Sequence, residues 1–561
     1  MAEKMYDVIV VGSGASGGWV AKELTEKGVE VLMLEAGPPR VPTRDFTEHI
    51  WPYQLKYRGF GNQKKLLAEQ PIQRLCYACD DYSRQFFVND SEHPYTFPSD
   101  KPFMWIRGRQ VGGKTFCWAR VSYRYSDFEF KAARRDGYGQ DWPISYKDLE
   151  PYYDHVERLI GVSGSYESLP QLPDSHFLPP MRLSCGELVA KEIIEKKFGW
   201  KLIVDRSANL TVPLNGRPAC HYCDQCQRGC FTASYFNSPS VTLPAAARTG
   251  RFHLVSDAVV SHLVMNGEGK AAGVAYVDRT ARTAREVRGK IVVLAASALE
   301  STRILLNSRS RHFPNGVGNA NGVLGHYLMD HTTLEGGGGT MAPLRSSVRE
   351  PVGRPCGYIV PKYVNTVGNR NKNFLRGYYF AGDGRQELYG HAFSTPGFGK
   401  ELRNKVRSHI PYRFSVYAQG ECLPRYDNYV TLDPEIKDAW GIPALHIHAS
   451  YGENEHAMAK AMRDHLGEIM DALRLEDRNP PRNELNVFGK NIHECGTARM
   501  GHDPKTSVVN AFNQIHDVKN VFVTDGACFV TQGCWEPTLT IMAISARAAD
   551  FIAEEFRKGN L

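Results

Sequence analysis

Two rhythms of apolar residues alternate at the start of this chain. Val8–Val11 in "YDVIVVG" is a short continuous apolar run. A glycine-rich turn follows, then an apolar repeat every three to four residues through "GGWVAKELTEKG", then a second run at Val29–Leu34. Short continuous runs predict buried strands and the 3.6-residue repeat predicts an amphipathic helix, so this stretch predicts a βαβ unit. The same order recurs in "KIVVLAASALESTRILLNS" (290–308). At the end of the chain "NVFVTDGA" predicts a strand and a helix begins at about Pro537. The long stretch from "GVLGHYLMDH" (322–331) to about Glu484 instead alternates apolar and polar positions, which predicts an antiparallel sheet forming one wall of a pocket. No internal repeat or low-complexity segment interrupts these patterns.

Chemistry enters at the first turn. Gly12, Gly14 and Gly17 fit G-x-G-x-x-G: the first permits the tight turn, the second lets backbone approach a pyrophosphate, and the third lets helix and strand pack closely. The helix N-terminus offers free N–H groups and a favourable dipole to the phosphates. Glu35 ends the second strand where a carboxylate accepts from both ribose hydroxyls and repels a 2′-phosphate. Together these elements predict dinucleotide binding and leave NAD and FAD both open.

Composition narrows the class. The chain has 561 residues, 42% hydrophobic and 23% charged, enough for two or three globular domains with a large core. The formal net charge of +7 is dispersed and forms no basic run, which argues against nucleic acid or an anionic membrane as partner. No apolar run approaches the ~20 residues of a membrane span, and "MAEKMYDVIVVG" lacks the ordered parts of a signal peptide. By its own signals the chain is expected in the cytoplasm. Single cysteines in apolar segments (Cys185, Cys356, Cys422) read as reduced core thiols.

One cysteine cluster is different. In "CHYCDQCQRGC" the spacing Cys220-x2-Cys223-x2-Cys226-x3-Cys230 matches the iron–sulfur run C-x2-C-x2-C-x3-C more closely than zinc patterns, although Phe231 stands where a proline is usual. A structural zinc knuckle and a group of packed thiols are the alternatives. Cys76 and Cys79 form a lone C-x2-C that reads as packing or redox-inert thiols.

With "GRQVGGKTFCWARVSYR" (108–124), "NIHECGTARMG" and "VTDGA" followed by "PTLT", the chain resembles the glucose-methanol-choline (GMC) flavoprotein oxidoreductases at both ends and through most of the middle. The resemblance implies an α/β fold with a Rossmann-like FAD-binding domain (1–155, 215–330 and 485–561) and a discontinuous substrate domain on an antiparallel sheet (156–214 and 331–484). It implies FAD contacts at Gly12, Gly14, Gly17, Glu35, Gly112, Gly113, Thr115 and Asp525. Some family members attach FAD through a histidine beside a tryptophan. Cys117 stands there before Trp118, so FAD is expected to bind non-covalently. His493 aligns with the family's catalytic histidine, a general base or alkoxide partner. Glu536 stands before the "PTLT" proline where the family has Asn or His, and it is expected either to accept a second substrate hydroxyl or to raise the proton affinity of the histidine.

Within the family, the cysteine run is similar to that of the large FAD subunits of bacterial glucoside 3-dehydrogenases. That similarity implies a [3Fe-4S] or [4Fe-4S] cluster on Cys220, Cys223, Cys226 and Cys230, and oxidation of a sugar hydroxyl at C3. Electrons would pass to a cytochrome c or other acceptor. A small subunit carrying a twin-arginine signal would export the folded pair to the periplasm. The residues themselves leave open an alcohol or sugar oxidase using oxygen, or a non-catalytic flavin electron-transfer subunit.

Overall fold

The apolar run Met5–Val11 forms β1, and it pairs in parallel on both sides: Val8 lies opposite Val31 of β2 (Val31–Leu34) and opposite Ile291 of β7 (Ala284–Leu294). In this computed structural model, which describes residues 4–50, 61–341, 344, 353–386, 395–408 and 411–561, those pairs are the centre of a seven-stranded sheet. Its order runs β4 (Phe252–Val255), β2, β1, β7, β6 (Ala271–Asp278) and β5 (Ala258–Met265), with β16 (Val521–Val523) beside β7. Parallel pairing holds from β4 to β7, and β5–β6–β7 is an antiparallel meander. Parts of the expected 331–484 unit, at 342–343, 345–352, 387–394 and 409–410, lie outside the described residues.

The second sheet is antiparallel throughout. Its order is β15 (Glu476–Asn479), β8 (Thr332–Thr340), β12 (Tyr412–Gly420), β10 (Tyr378–Gly382), β9 (Tyr358–Val360) and β3 (Ile203–Val204), with β11 (Gly384–Gln386) beside β12. The Glu453–Ala472 helix covers one face, burying Met458, Met462, Leu466 and Ile469 against Leu334 and Val416. This helix-period spacing puts all four side chains on one stripe. A hairpin of β13 (Tyr429–Lys437) and β14 (Pro443–His448) stands apart from both sheets and touches the Ala298–Asn307 helix.

Local chemistry sets the βαβ unit. The Ala15–Glu26 helix packs so close to β1 that a Cβ at Gly17 would lie 1.9 Å from the Gly12 carbonyl oxygen, a contact only glycine tolerates. The second strand starts two residues later than the apolar run predicts. Val29 donates its N–H back to Leu24 O at 3.1 Å as part of the helix exit, and Gly28 makes that exit with φ +86°.

A buried ion cluster joins the two sheets' surroundings. Lys362, fully buried after β9, donates to Glu129 Oε1 at 3.0 Å and to Glu421 Oε1 at 2.9 Å. Glu129 belongs to the short Asp127–Phe130 helix on the nucleotide-binding side, and Glu421 follows β12. Burial alone would raise the Glu421 carboxyl, but Lys362, Arg376 and Arg135 hold it below the ordinary value. Lys362→Met leaves two buried carboxylates without their cation and is expected to cost about 3–5 kcal/mol, read as a lower urea midpoint. An unchanged midpoint would show that the cluster contributes nothing net to the fold.

Candidate active site

A cleft open at its mouth runs from the first turn to the start of the last helix, with about 1380 Å³ of non-atom space counting the solvent at that mouth. Gly12, Gly14, Glu35, Gly113, Thr115 and Asp525 all line it, so the structure gathers most of the expected cofactor contacts into one cavity. Gly17 and Gly112 act one layer behind. Gly17 sets the helix–strand distance, and Gly112, at φ +99°, turns the chain so that its N–H donates to Ser13 Oγ at 2.8 Å. A dinucleotide's pyrophosphate fits this cradle. A Cβ on Gly14 would meet nothing nearer than the Gly112 carbonyl at 4.0 Å, so the backbone there is open to a ligand.

Glu35 is buried and raised above the usual carboxylate range by burial, although Ser13 and Gly37 oppose the shift with hydrogen bonds. Ser13 N and Oγ donate to Oε2 at 3.1 and 2.5 Å and Gly37 N to Oε1 at 2.9 Å. Three of its roughly four acceptor positions are therefore taken. That leaves one for a ribose hydroxyl while the Ser13 hydroxyl stays in place, fewer than the two expected. Asp525 accepts from Ser301 Oγ at 2.5 Å and Ala527 N at 3.0 Å, and burial brings it up to about 6. Thr115 Oγ1 ties its loop by donating to Gly112 O at 2.5 Å. Cys117 lies in an apolar cluster with Phe116, Cys76 and Cys79.

The far end of the cleft carries His493 beside Lys114, Trp118 and Thr538. A second histidine, one that no motif marks, holds it: His331 Nδ1 lies 2.8 Å from His493 Nδ1, and His331 Nε2 lies 2.7 Å from the Gly533 carbonyl. A carbonyl only accepts, so His331 Nε2 carries a proton. Burial lowers His331 to about 4, so the ring is neutral near pH 7 and its Nδ1 is bare. His493 Nδ1 must then donate, which makes Nε2 the lone-pair nitrogen of His493. Burial, His331 and Lys114 together hold His493 well below the ordinary histidine value, so its ring is neutral near pH 7. Asp330, brought up to about 7 by burial and by Glu494, accepts the backbone N–H of His493 and of Asn491, each at 3.2 Å.

Glu536 does not pair with His493. Its Oε1 accepts from Tyr379 Oη at 2.6 Å and Gln419 Nε2 at 3.1 Å, so the carboxyl turns toward the antiparallel sheet. The groups that polarise His493 are His331 and Lys114, in place of the carboxylate expected from the sequence. Burial raises Glu536 to about 7. Only its neighbours Pro537 and Thr538 reach the cleft wall.

The four cysteines lie in one loop but do not form a ready ligand shell. Among the described residues no three His, Cys, Asp or Glu side chains stand close enough to hold one metal ion. Cys226 and Cys230 are buried against Tyr235, whereas Cys220 and Cys223 are half-buried. The donor chemistry nonetheless suits thiolates. Tyr222 N donates to Cys220 Sγ at 3.4 Å, the Gln225 N–H reaches Cys223, and the Asn209 amide reaches Cys226. Burial raises Cys220 to about 11 and Cys223 to about 12, and the Arg120 guanidinium works against the rise at Cys220 and Cys226.

His331→Leu removes the acceptor that fixes the His493 tautomer, and substrate-driven flavin reduction in anaerobic stopped flow is expected to slow by ~10²–10⁴-fold. His331→Asn, whose amide both accepts from His493 and donates to Gly533, should recover much of that rate. Equal losses in both variants would show that His331 serves packing only.

Residues 6–333 and 424–545 match the two models of the GMC oxidoreductase family. The chain is 30% identical to 2-methyl-1,2-propanediol dehydrogenase of Mycolicibacterium austroafricanum, over 98% of this chain and 95% of that protein. It is 28% identical to the fructose dehydrogenase large subunit of Gluconobacter japonicus, over 99% and 98% respectively. The crystal structure of pyridoxine 4-oxidase from Mesorbium loti superposes with a TM-score of 0.59 at 15% identity, covering 97% of this chain and 99% of that one, and so shares the fold. Among the described residues no helix is long and apolar enough to cross a membrane. The chain belongs to the GMC oxidoreductase family, whose members bind FAD.

Proposed function

We propose that this chain is an FAD-dependent dehydrogenase that oxidises a secondary hydroxyl, at C3, of glucose, a glucoside or a disaccharide. The observation that carries the reading is the His331–His493 pair at the end of the FAD cleft. Two relatives named for a diol and for fructose support a polyhydroxy substrate. FAD, when bound, supplies the two-electron acceptor for the carbon's hydride. The chain supplies the rest. His493 Nε2 takes the hydroxyl proton, His331 keeps that nitrogen bare and aimed, and the Gly533 carbonyl anchors His331. Glu536, held by Tyr379 and Gln419 just behind the wall that Pro537 and Thr538 form, is the second polar group beside the sugar.

Residues 220–230 would hold an iron–sulfur cluster, whose chemistry is single-electron exit to a protein acceptor. The cysteine spacing and the N–H donors to sulfur support this part of the reading. A relative that is a large subunit supports a partner subunit, and with it co-export to the periplasm and delivery to a cytochrome c or similar acceptor. Retention of the protein in the cytoplasm would contradict the export arm alone.

An anaerobic absorbance titration with glucose, a methyl glucoside and a disaccharide tests the core reading. The flavin should bleach and the product should be a 3-keto sugar. Bleaching by none of them, or stoichiometric peroxide as the main product in air, contradicts it. The purified protein should also contain iron, and Cys226→Ser should lose that iron and lower electron delivery to an acceptor protein far more than it slows flavin reduction. Wild-type protein holding zinc or no metal rules out the cluster.

The pH profile divides the roles. His493 is held below the ordinary histidine value, so it stays unprotonated as pH falls through 6.5 and adds no bend to kcat between pH 6 and 8; a kcat bend near 7 belongs to Asp330, which accepts its backbone N–H. Glu536 loses its proton near 7, so kcat/KM should bend there, and Glu536→Gln should remove the bend. A bend that persists in Glu536→Gln belongs to another group.

A further inference from the structure

A second cavity lies beside the cleft, with about 730 Å³ of non-atom space counting the solvent at its mouth, and Arg109 lines both. Four guanidinium groups line this second cavity, those of Arg40, Arg84, Arg109 and Arg279, against the one carboxylate of Glu92. Carboxylates from outside its wall hold three of them: Glu69 pairs with Arg84, Glu300 with Arg109 at 2.8 Å, and Asp257 with Arg279 at 2.6 Å. Arg40 differs. Its Nη2 donates to the Gln85 carbonyl, and Asp45 and Asp257 act on its charge without forming an ion pair with it among the described residues.

Five of the lining residues each carry a buried polar atom that has no hydrogen-bond partner. Three are donors, Arg40 Nε, Arg84 Nη1 and Arg109 Nη1, and two are acceptors, Gln70 Oε1 and His93 Nε2. Gln70 is 2% and His93 5% exposed, so neither acceptor is served by bulk solvent. Their roles are fixed by the bonds on their other side. Gln70 Nε2 donates to the carbonyls of Arg84, Phe87 and Val88 at 3.0, 3.3 and 2.9 Å, which sets the direction of the amide. His93 Nδ1 lies 3.0 Å from the Asn89 carbonyl, which only accepts, so Nδ1 carries the proton. Burial, Arg109 and Arg107 keep that ring neutral, and Nε2 is left bare.

The unpartnered set chooses the ligand class. A cation would meet four guanidinium groups. Water or a neutral sugar would satisfy the hydrogen bonds but leave the charge of Arg40 without a counter-ion in a partly buried place. An oxyanion meets both needs of the three donors, charge and acceptor oxygens. The two acceptors add a further condition, because a fully deprotonated anion would leave Gln70 Oε1 and His93 Nε2 facing oxygen lone pairs. The ligand must therefore be an anion that keeps an O–H.

We propose that the cavity lined by Arg40, Arg84, Arg109, Gln70 and His93 is a binding site for hydrogen phosphate, whose oxygens accept from the three arginines while its O–H donates to His93 or Gln70. The site stands apart from the reacting hydroxyl and does not depend on which alcohol the chain oxidises. It shares Arg109 with the cofactor cleft, so the protein must be tested with FAD already bound.

The test is calorimetric titration of the FAD-loaded protein at pH 8 and fixed ionic strength with inorganic phosphate, sulfate and methyl phosphate. All three are dianions there, but only inorganic phosphate keeps a proton, since a phosphomonoester loses its second proton near ~6. Phosphate should bind roughly 10- to 100-fold more tightly than either of the others. Arg40→Gln should weaken all three by roughly 10-fold or more. His93→Phe keeps a ring against Trp440, 4.8 Å away, and should bring phosphate down to the level of sulfate without changing sulfate. If His93→Phe does not fold, the comparison of the three anions on wild type carries that arm. Equal affinities for the three anions, no binding of phosphate, or Arg40→Gln behaving like wild type overturns the proposal. Phosphate binding seen only in FAD-free protein would assign the cavity to the cofactor and also overturn it.

Discussion

The bond between His331 and His493 constrains everything around it. It crosses from the residue just before the antiparallel sheet's first long strand to a loop beside the cleft, and its direction is dictated by a backbone carbonyl that can only accept. A flexible base could present either nitrogen to a substrate. Here the Gly533 carbonyl fixes the proton on His331, His331 fixes the proton on His493, and the remaining lone pair belongs to Nε2. Both rings are held neutral by burial, so the pair is prepared before any substrate arrives.

That bond holds only if the two sheets keep their spacing. The segment 532–537 is the common part: Gln532 donates to the His493 carbonyl, Gly533 to Glu536 contact His331, Gln419 and Tyr379 in turn, and Pro537 begins the helix that packs over β1 and β7. Lys362, with Glu129 on one side and Glu421 on the other, clamps the same junction a short way off. A displacement of either sheet would therefore be felt at once in the histidine pair, in Glu536 and in the clamp, which gives a physical reason for the ions and aromatic rings buried between them.

The nucleotide-binding half was legible in the sequence because its signals are local. Gly12, Gly14 and Gly17 sit within one turn, and the strand and helix on either side follow from short apolar periods. The antiparallel sheet was legible as a class from its alternation, though its strand order was not. His331 carries no local signal, because the residue that gives it meaning lies 162 positions away and nothing in "LMDH" announces the contact. Glu536 was singled out by position, but the direction of its carboxyl, toward Tyr379 and away from His493, depends on a sheet register that no local pattern encodes. The four cysteines show the converse: a precise local spacing need not place four side chains together by itself.

The central claim is that His493 presents a bare Nε2, and the most direct measurement is nitrogen NMR of the holoenzyme labelled with ¹⁵N-histidine, with His493→Gln used to assign the signals. At pH 7 the His493 ring should show a protonated Nδ1 and an unprotonated Nε2, unchanged as pH falls to 6. A protonated Nε2, an imidazolium at pH 7, or rapid exchange between tautomers would contradict the account.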